Sequence, residues 1–324
     1  MEIAELSDLL VWAAATTFAI AMIAFAIDLG RRGDERIEAR SEARAAVVPA
    51  GTDAGTVPDT APAAGDVPPA PRRRAAGIGV STSWLGTGLL LLGIVLRGVA
   101  AGRTPWANMY EFTLVGSFIA MVVFLVLNLR RDVRFLGAFV TGIVTLFLVV
   151  GLNSFHVAAT GVQPALQNYW LVLHVGVAIA ATGIFTVSFV MSALQLLRDG
   201  RDSGTPFLTR PGFRWLDRMP TPGTLESMSF RLNAVGFVMW TFTIIGGAIW
   251  AEDAWGRYWG WDPKEVWSFV IWVVYAAYLH ARTTRGWSGR RAAWFVVVGY
   301  ACVLFNFTGV NLIFNGKHSY SGIS

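Results

Sequence analysis

Long apolar runs alternate along this chain with short clusters of charge. Eight runs approach the ~20 residues that a helix needs to cross a bilayer: 9–27, 84–101, 112–129, 135–152, 171–197, 232–250, 266–281 and 292–314. None alternates apolar and polar residues with the period of two expected of a membrane barrel strand. The pattern predicts an all-α, polytopic membrane protein with about eight transmembrane helices. The second run is broken only by Arg97, a tight basic turn joins the third and fourth, and the seventh is short and ends at His280.

The basic residues orient these spans. Of 26 Lys and Arg, 21 fall in the segments 30–83, 130–134, 198–231 and 282–291. In an eight-span arrangement all four segments lie on one side, which the positive-inside rule makes cytoplasmic. Both termini are then outside. The first run has acidic residues before it, Glu2 and Glu5, and no basic n-region or small-residue cleavage site, so it reads as a retained span rather than a signal peptide. The stretch 35–80 is rich in Ala, Pro, Gly, Asp and Arg and nearly devoid of large apolar residues. It reads as disordered, because it cannot bury a core. The expected organisation is a first transmembrane helix at 1–29, a disordered cytoplasmic linker at 30–83, and a seven-helix membrane domain at 84–324 with an outer loop at 251–265.

Composition narrows the class. The chain has 324 residues, is 54% hydrophobic and only 15% charged, with mean hydropathy +0.52, against about 25% charged residues in a soluble domain. A soluble enzyme, a disordered protein and a fibrous repeat are excluded. The net charge of +5 follows from topology, so no nucleic-acid partner is expected; the lipid bilayer is the partner that the composition implies. Cys302 is the single cysteine, which leaves no internal disulfide, no CxxC redox pair and no CxxCH haem-attachment site.

Candidate chemistry centres on histidine and tryptophan. In the eight-span arrangement His156, His174 and His318 fall on the outer side, and His280 lies inside a span near the cytoplasm. A histidine at a membrane interface is often only a boundary residue, but an ionisable group within a span is costly and usually functional. Between the sixth and seventh runs, six aromatics crowd into residues 250–267: Trp250, Trp255, Tyr258, Trp259, Trp261 and Trp267. An aromatic belt at headgroup level is the simpler account. The interspersed Gly256 and Gly260, which permit close backbone approach and unusual dihedrals, favour a platform for a large planar ligand. Asp262, Pro263, Lys264 and Glu265 have the form of a helix start, with Asp at N-cap, Pro at N1 and Glu at N3. That makes starting the seventh span their main role, without excluding a ligand role. Similarly, Asn108, Tyr110 and Glu111 read first as a capped turn into the third span. Arg97, Arg103, Lys264 and Lys317 are outer cations suited either to haem propionates or to lipid headgroups.

His280 is 15 residues beyond Glu265, about 22 Å of helix, so it cannot touch a ligand lying on the outer loop. Imidazole is a common axial ligand of haem iron, and one inner with two outer histidines would suit two haem stations on opposite sides of the bilayer.

The stretch WGRYWGWDPKEVWSFVIWVVYAAYLHAR resembles the tryptophan-rich WWD signature of haem-handling proteins. Trp255, Gly256, Trp259, Trp261, Asp262 and Glu265 stand at the motif's positions. NYWLVLHV supplies His174 upstream, GVNLIFNGKHSYSG supplies His318 downstream, and His280 matches the family's membrane histidine. The segment PWANMYEF is also similar, and the likeness runs over about residues 84–324. It is greatest to the CcsA/ResC type, called CcsB in some bacteria, of system II cytochrome c biogenesis; the CcmC type is shorter and the CcmF type much longer. The resemblance implies that haem b, as transported substrate, is moved across the cell membrane. It would be held at the extracytoplasmic platform with His174 and His318 on the iron, and His280 on the iron at the inner station. Trp255, Gly256, Trp259, Trp261, Asp262 and Glu265 would form the rest of the site. It further implies attachment of haem to apocytochrome c at CxxCH, with a ResB-type membrane partner and a separate thiol-reducing protein, so that this chain would be the membrane subunit of a cytochrome c synthase, or haem lyase. His156 has no place in the motif. The rivals are a membrane b-type cytochrome passing electrons and a transporter of another flat amphipathic solute. The first usually needs paired histidines at similar depth, and His280 has none in the chain.

Overall fold

The computed structural model describes residues 2–45, 74–159, 169–314 and 316–318, and within them there is no strand. The helices are α1 (Ile3–Ala45), α2 (Arg74–Ala101), α3 (Met109–Arg130), α4 (Gly137–Val150), α5 (Tyr169–Asp202), α6 (Pro222–Trp255), α7 (Pro263–Thr284), α8 (Arg290–Leu304) and α9 (Val310–Ile313). Two π-helical segments, Gly151–Phe155 and Phe305–Gly309, prolong α4 and α8.

The expected linker is helical at both margins, because α1 runs on to Ala45 and α2 begins at Arg74. The extension 31–45 is rich in Ala, Glu and Arg, all strong helix formers; low hydrophobicity there did not mean absence of structure. The middle of that linker, 46–73, lies outside the described residues.

Among the described residues, seven helical stretches are long and apolar enough to cross a membrane: Ile3–Gly30, Arg74–Ala101, Met109–Arg130, Arg134–Phe155, Val172–Asp202, Pro222–Trp255 and Arg290–Ile313. The seventh expected span, in α7, is not among them, since its Trp, Tyr and terminal charges lower its hydropathy. It nevertheless has 22 residues, about 33 Å of helix, and it runs antiparallel to α6 over the same depth. At one end Arg282 of α7 pairs with Glu226 of α6 at 3.0 Å. At the other, the N-cap of α7, Asp262, holds His318, whose ring lies 4.9 Å from that of Trp255 at the end of α6.

One core joins α1–α4 and part of α5, and a second joins α5–α8. Small residues let backbones approach, as in other membrane bundles: a Cβ at Gly86 of α2 would come within 2.7 Å of the Phe18 ring of α1. The start of α1 and the last described residues share one end of the bundle. There Asp8 receives Tyr110 Oη at 2.9 Å and His156 Nε2 at 2.8 Å, next to Asn108 and Met109, which line a cavity together with His318. The basic loops gather at the opposite end, in pairs such as Arg290–Asp199 at 3.0 Å and Arg201–Asp217 at 2.6 Å.

Candidate functional site

The site lies at the end of the bundle away from those basic loops. It is built where α6 stops and α7 starts. Gly256 takes φ +68°, and its N–H donates to Glu252 O at 2.8 Å, a left-handed helix cap natural to glycine. Helix α6 thus continues past 250, and Gly256 closes it. Six residues later Asp262 caps α7. Its side chain accepts from Lys264 N at 3.1 Å, and Glu265 Oε2 accepts from Asp262 N at 3.0 Å, completing the capping box. Glu265 Oε2 also takes Gly260 N at 2.8 Å, tying the intervening loop to the helix.

A partly open cavity of about 1280 Å³, mouth included, lies beside this junction. Its walls are mostly apolar and aromatic, with His174 from α5, Lys264, Glu265 and Ser268 from α7, and His318 from the tail.

The two cavity histidines are anchored alike. His174 Nδ1 lies 2.7 Å from Thr243 O, an acceptor, so Nδ1 carries the proton and the Nε2 lone pair is the ligand atom. His318 Nδ1 lies 2.8 Å from Asp262 Oδ1, which assigns the same tautomer. A carboxylate or carbonyl behind the ring is the usual support of a metal-binding imidazole. Asp262 also accepts Lys317 N at 2.7 Å. Burial pushes the Asp262 carboxyl up, but the hydrogen bond from His318, with the two backbone N–H donors, outweighs it and holds the group below the usual carboxylate value. Trp250, 1% exposed, lies near both rings, parallel to His174 at 6.4 Å and 6.0 Å from His318.

The other sequence-derived residues divide. Trp259 lines the cavity. Trp255 meets the edge of His318 at 4.9 Å and supports that ring from outside the wall. Trp261 is 77% exposed and has φ +58°, an uncommon backbone for a bulky residue; it stands edge-on to Trp259 at 6.0 Å. His280 is exposed near the far end of α7, remote from the cavity. His156, absent from the motif, is pinned by Asp8 and meets the Tyr110 ring at 5.0 Å.

Two of the outer cations are not available to a ligand. Arg97, 1% exposed, and Arg103 both bind the buried Glu111 carboxylate, at 3.2 and 2.6 Å. Asn108 caps α3 through Glu111 N at 2.9 Å, as the capped-turn reading expected, and lines the cavity as well.

Sequence reasoning missed Trp106, Trp240, Thr243, Asn306 and Asn311 in the walls or supports of the site. Asn306 and Asn311 offered a signal, being polar within an apolar run. The π segment Phe305–Gly309 has no sequence pattern to reveal it.

A sequence model of the family described as "Cytochrome C assembly protein" matches residues 106–318. "Cytochrome c biogenesis protein CcsA" of Parasynechococcus marenigrum (strain WH8102) is 35% identical over 252 residues, covering 72% of this chain and 82% of that one. The protein of the same name from Chlamydomonas reinhardtii is 33% identical over 238 residues, covering 72% and 65%. Among solved structures, "Cytochrome c Heme Lyase CcmF" superposes with a TM-score of 0.63 at 16% identity, over 99% of this chain and 49% of CcmF. This chain therefore shares its fold with about half the length of that protein.

Proposed function

This chain belongs to the cytochrome c assembly protein family and is of the CcsA type, and from that premise we propose that it carries haem across the membrane and presents it in the outer cavity for attachment to apocytochrome c. The observation that carries this reading is the pair of cavity imidazoles, each held by Nδ1 so that Nε2 is the ligand atom. The donor set fits haem better than a bare ion. Among the described residues no group of three or more His, Cys, Asp or Glu could hold a metal, so two imidazoles suit a metal already held by a planar macrocycle. The aromatic walls suit that macrocycle as well.

Haem is substrate here, and its vinyl groups supply the carbons to which the CxxCH thiols add. The chain's own contribution is positioning: both imidazoles anchored through Nδ1 and one indole near both. The thiols belong to the apocytochrome, and a separate protein keeps them reduced. Because His280 is exposed on α7, on this reading a ResB-type membrane partner would complete an inner station there and, with this chain, the system II synthase. The cavity faces the extracytoplasmic side of the cell membrane on this reading. Electron transfer between paired haems is not favoured, since the other three histidines all lie at the cavity end, far from His280.

Haem-stained cytochrome c, measured in cells at matched levels of each variant, tests the reading. His174→Ala and His318→Ala each abolish maturation, whereas His156→Ala leaves it near wild type. Normal maturation in both of the first two variants would overturn the haem platform and leave an aromatic belt as the better account.

A further inference from the structure

The cavity wall contains a cation without a matching anion. Lys264, in the first turn of α7, lines the cavity and extends across to α8 and α9. There its Nζ donates to Asn306 O at 2.6 Å and to Asn311 Oδ1 at 3.0 Å. The acceptor at Asn306 belongs to the π segment Phe305–Gly309, where the regular i→i−4 ladder is interrupted; such segments frequently mark functional sites. Both partners are neutral oxygens. An ammonium has three donors, and among the described residues only these two oxygens bind it.

Asp262 is the carboxylate whose field reaches Lys264, but its oxygens already receive His318 Nδ1 and the backbone N–H of Lys317 and Lys264. Glu265 Oε2 is committed to the Gly260 and Asp262 backbone, and its buried Oε1 makes no hydrogen bond to Lys264. Lys264 is half-buried, and a charge partly withdrawn from water is stabilised by an anionic partner. Of the other cations at this end, Arg97 and Arg103 are engaged by Glu111, Lys317 lies over the Trp255 ring at 5.4 Å, and Arg257 is exposed on the loop and does not line the cavity.

We infer that Lys264 is the anchor for an acidic edge of the ligand in this cavity, donating its third N–H to a carboxylate, which for haem is a propionate. This rests on the haem-platform reading and adds to it a determinant of orientation. The cation is on the α7–α8 wall, whereas His174 is on α5 and His318 on the tail. Ligation of the iron by two imidazoles leaves the macrocycle's rotation about the iron axis undetermined. A fixed cation at one place on the rim selects which edge lies against α7 and, by exclusion, which edge carries the vinyl groups elsewhere.

The test compares haem with haem dimethyl ester, in which both propionates are neutral, binding to purified full-length protein in detergent. Wild type is expected to bind haem roughly 10- to 100-fold more tightly than the ester, the range for a hydrogen bond to a charged group. Lys264→Met should bind both ligands alike, at about the ester's affinity, with the bis-imidazole absorption spectrum kept in each case. Lys264→Arg should restore the preference in part. Lys264→Gln provides a second neutral variant if the Met form is not monodisperse. No preference in wild type, or an undiminished preference in the neutral variants, overturns the anchor while leaving the platform standing. Absence of a bis-imidazole spectrum in wild type with either ligand overturns the platform and the anchor with it.

Discussion

A Cβ added at Gly247 would come within 2.6 Å of His174 Cε1, whereas one added at the neighbouring Gly246 would meet nothing closer than 3.7 Å. The two glycines therefore differ in a way that isolates the imidazole. Gly247→Ala must push the His174 ring away from Thr243 O or shift α6 from α5, and such overpacking costs about 1–3 kcal/mol. Gly246→Ala adds only ordinary contact. We expect Gly247→Ala to lose most of its bound haem while Gly246→Ala loads normally, read as the Soret absorbance per protein of purified variants at matched expression. Equal loading in the two would mean that the position of His174 is not set by this contact. At this scale the candidate site was partly legible in the sequence. His174 and His318 were identifiable because their side chains are ionisable groups beside apolar runs. Their hydrogen-bond partners were not, because Thr243 contributes a backbone carbonyl, which every residue possesses. Similarly, Arg97 and Arg103 looked available until the fold brought Glu111 between them.

At the scale of the element, Asp262 holds two positions at once. It begins α7, and it supports His318 from behind. The first role follows from the local pattern Asp-Pro-Lys-Glu, so it could be read directly; the second depends on a contact across 56 residues, for which no local pattern exists. Substitution can separate them. Asparagine is as good an N-cap as aspartate but brings no negative charge to the imidazole. Asp262→Asn should leave the thermal unfolding midpoint nearly unchanged while weakening haem affinity by roughly 10-fold or more, the usual effect of losing such a supporting group. Asp262→Ala should do both, adding about 1 kcal/mol of lost stability from the missing cap. Thermal unfolding in detergent and haem titration measure the two effects independently. If the Asn variant binds haem like wild type, the carboxylate serves only the helix. Helix ends were the least legible part of the fold. The end of α6 was expected at 250 because Glu252 and Asp253 are poor membrane residues, yet they continue the helix outside the apolar stretch until Gly256 stops it. Gly256 was expected to allow close backbone approach and unusual dihedrals, and its φ of +68° is the second of these.

At the scale of the whole molecule, the hydrophobic pattern and the charge pattern constrain each other. Apolar runs predict crossings without saying which way they face; basic clusters predict a face without fixing the number of crossings. Their combination implied an even number with the ends of the chain together, and the fold places Asp8 and His318 at one end of the bundle and the Arg–Asp and Arg–Glu pairs at the other. Hydropathy alone would have missed α7, whose aromatic and charged residues depress it, although Arg282 at one end and Asp262 at the other show it running the depth of α6. Since Lys and Arg are retained on the cytoplasmic side, the arginine end should be cytoplasmic and the cavity extracytoplasmic. Two exposed positions on either side of α7 test this with few complications: Glu252, near the end of α6, and Ser288, between α7 and α8. In a Cys302→Ser background, Glu252→Cys should react with a membrane-impermeant maleimide in intact cells. Ser288→Cys should react only after permeabilisation. Labelling of Ser288→Cys in intact cells would invert the molecule and put the cavity on the wrong side for presenting haem to an exported apocytochrome. Labelling of both or neither in intact cells would remove α7 as a crossing, and with it the separation between His280 and the cavity on which a two-station path depends.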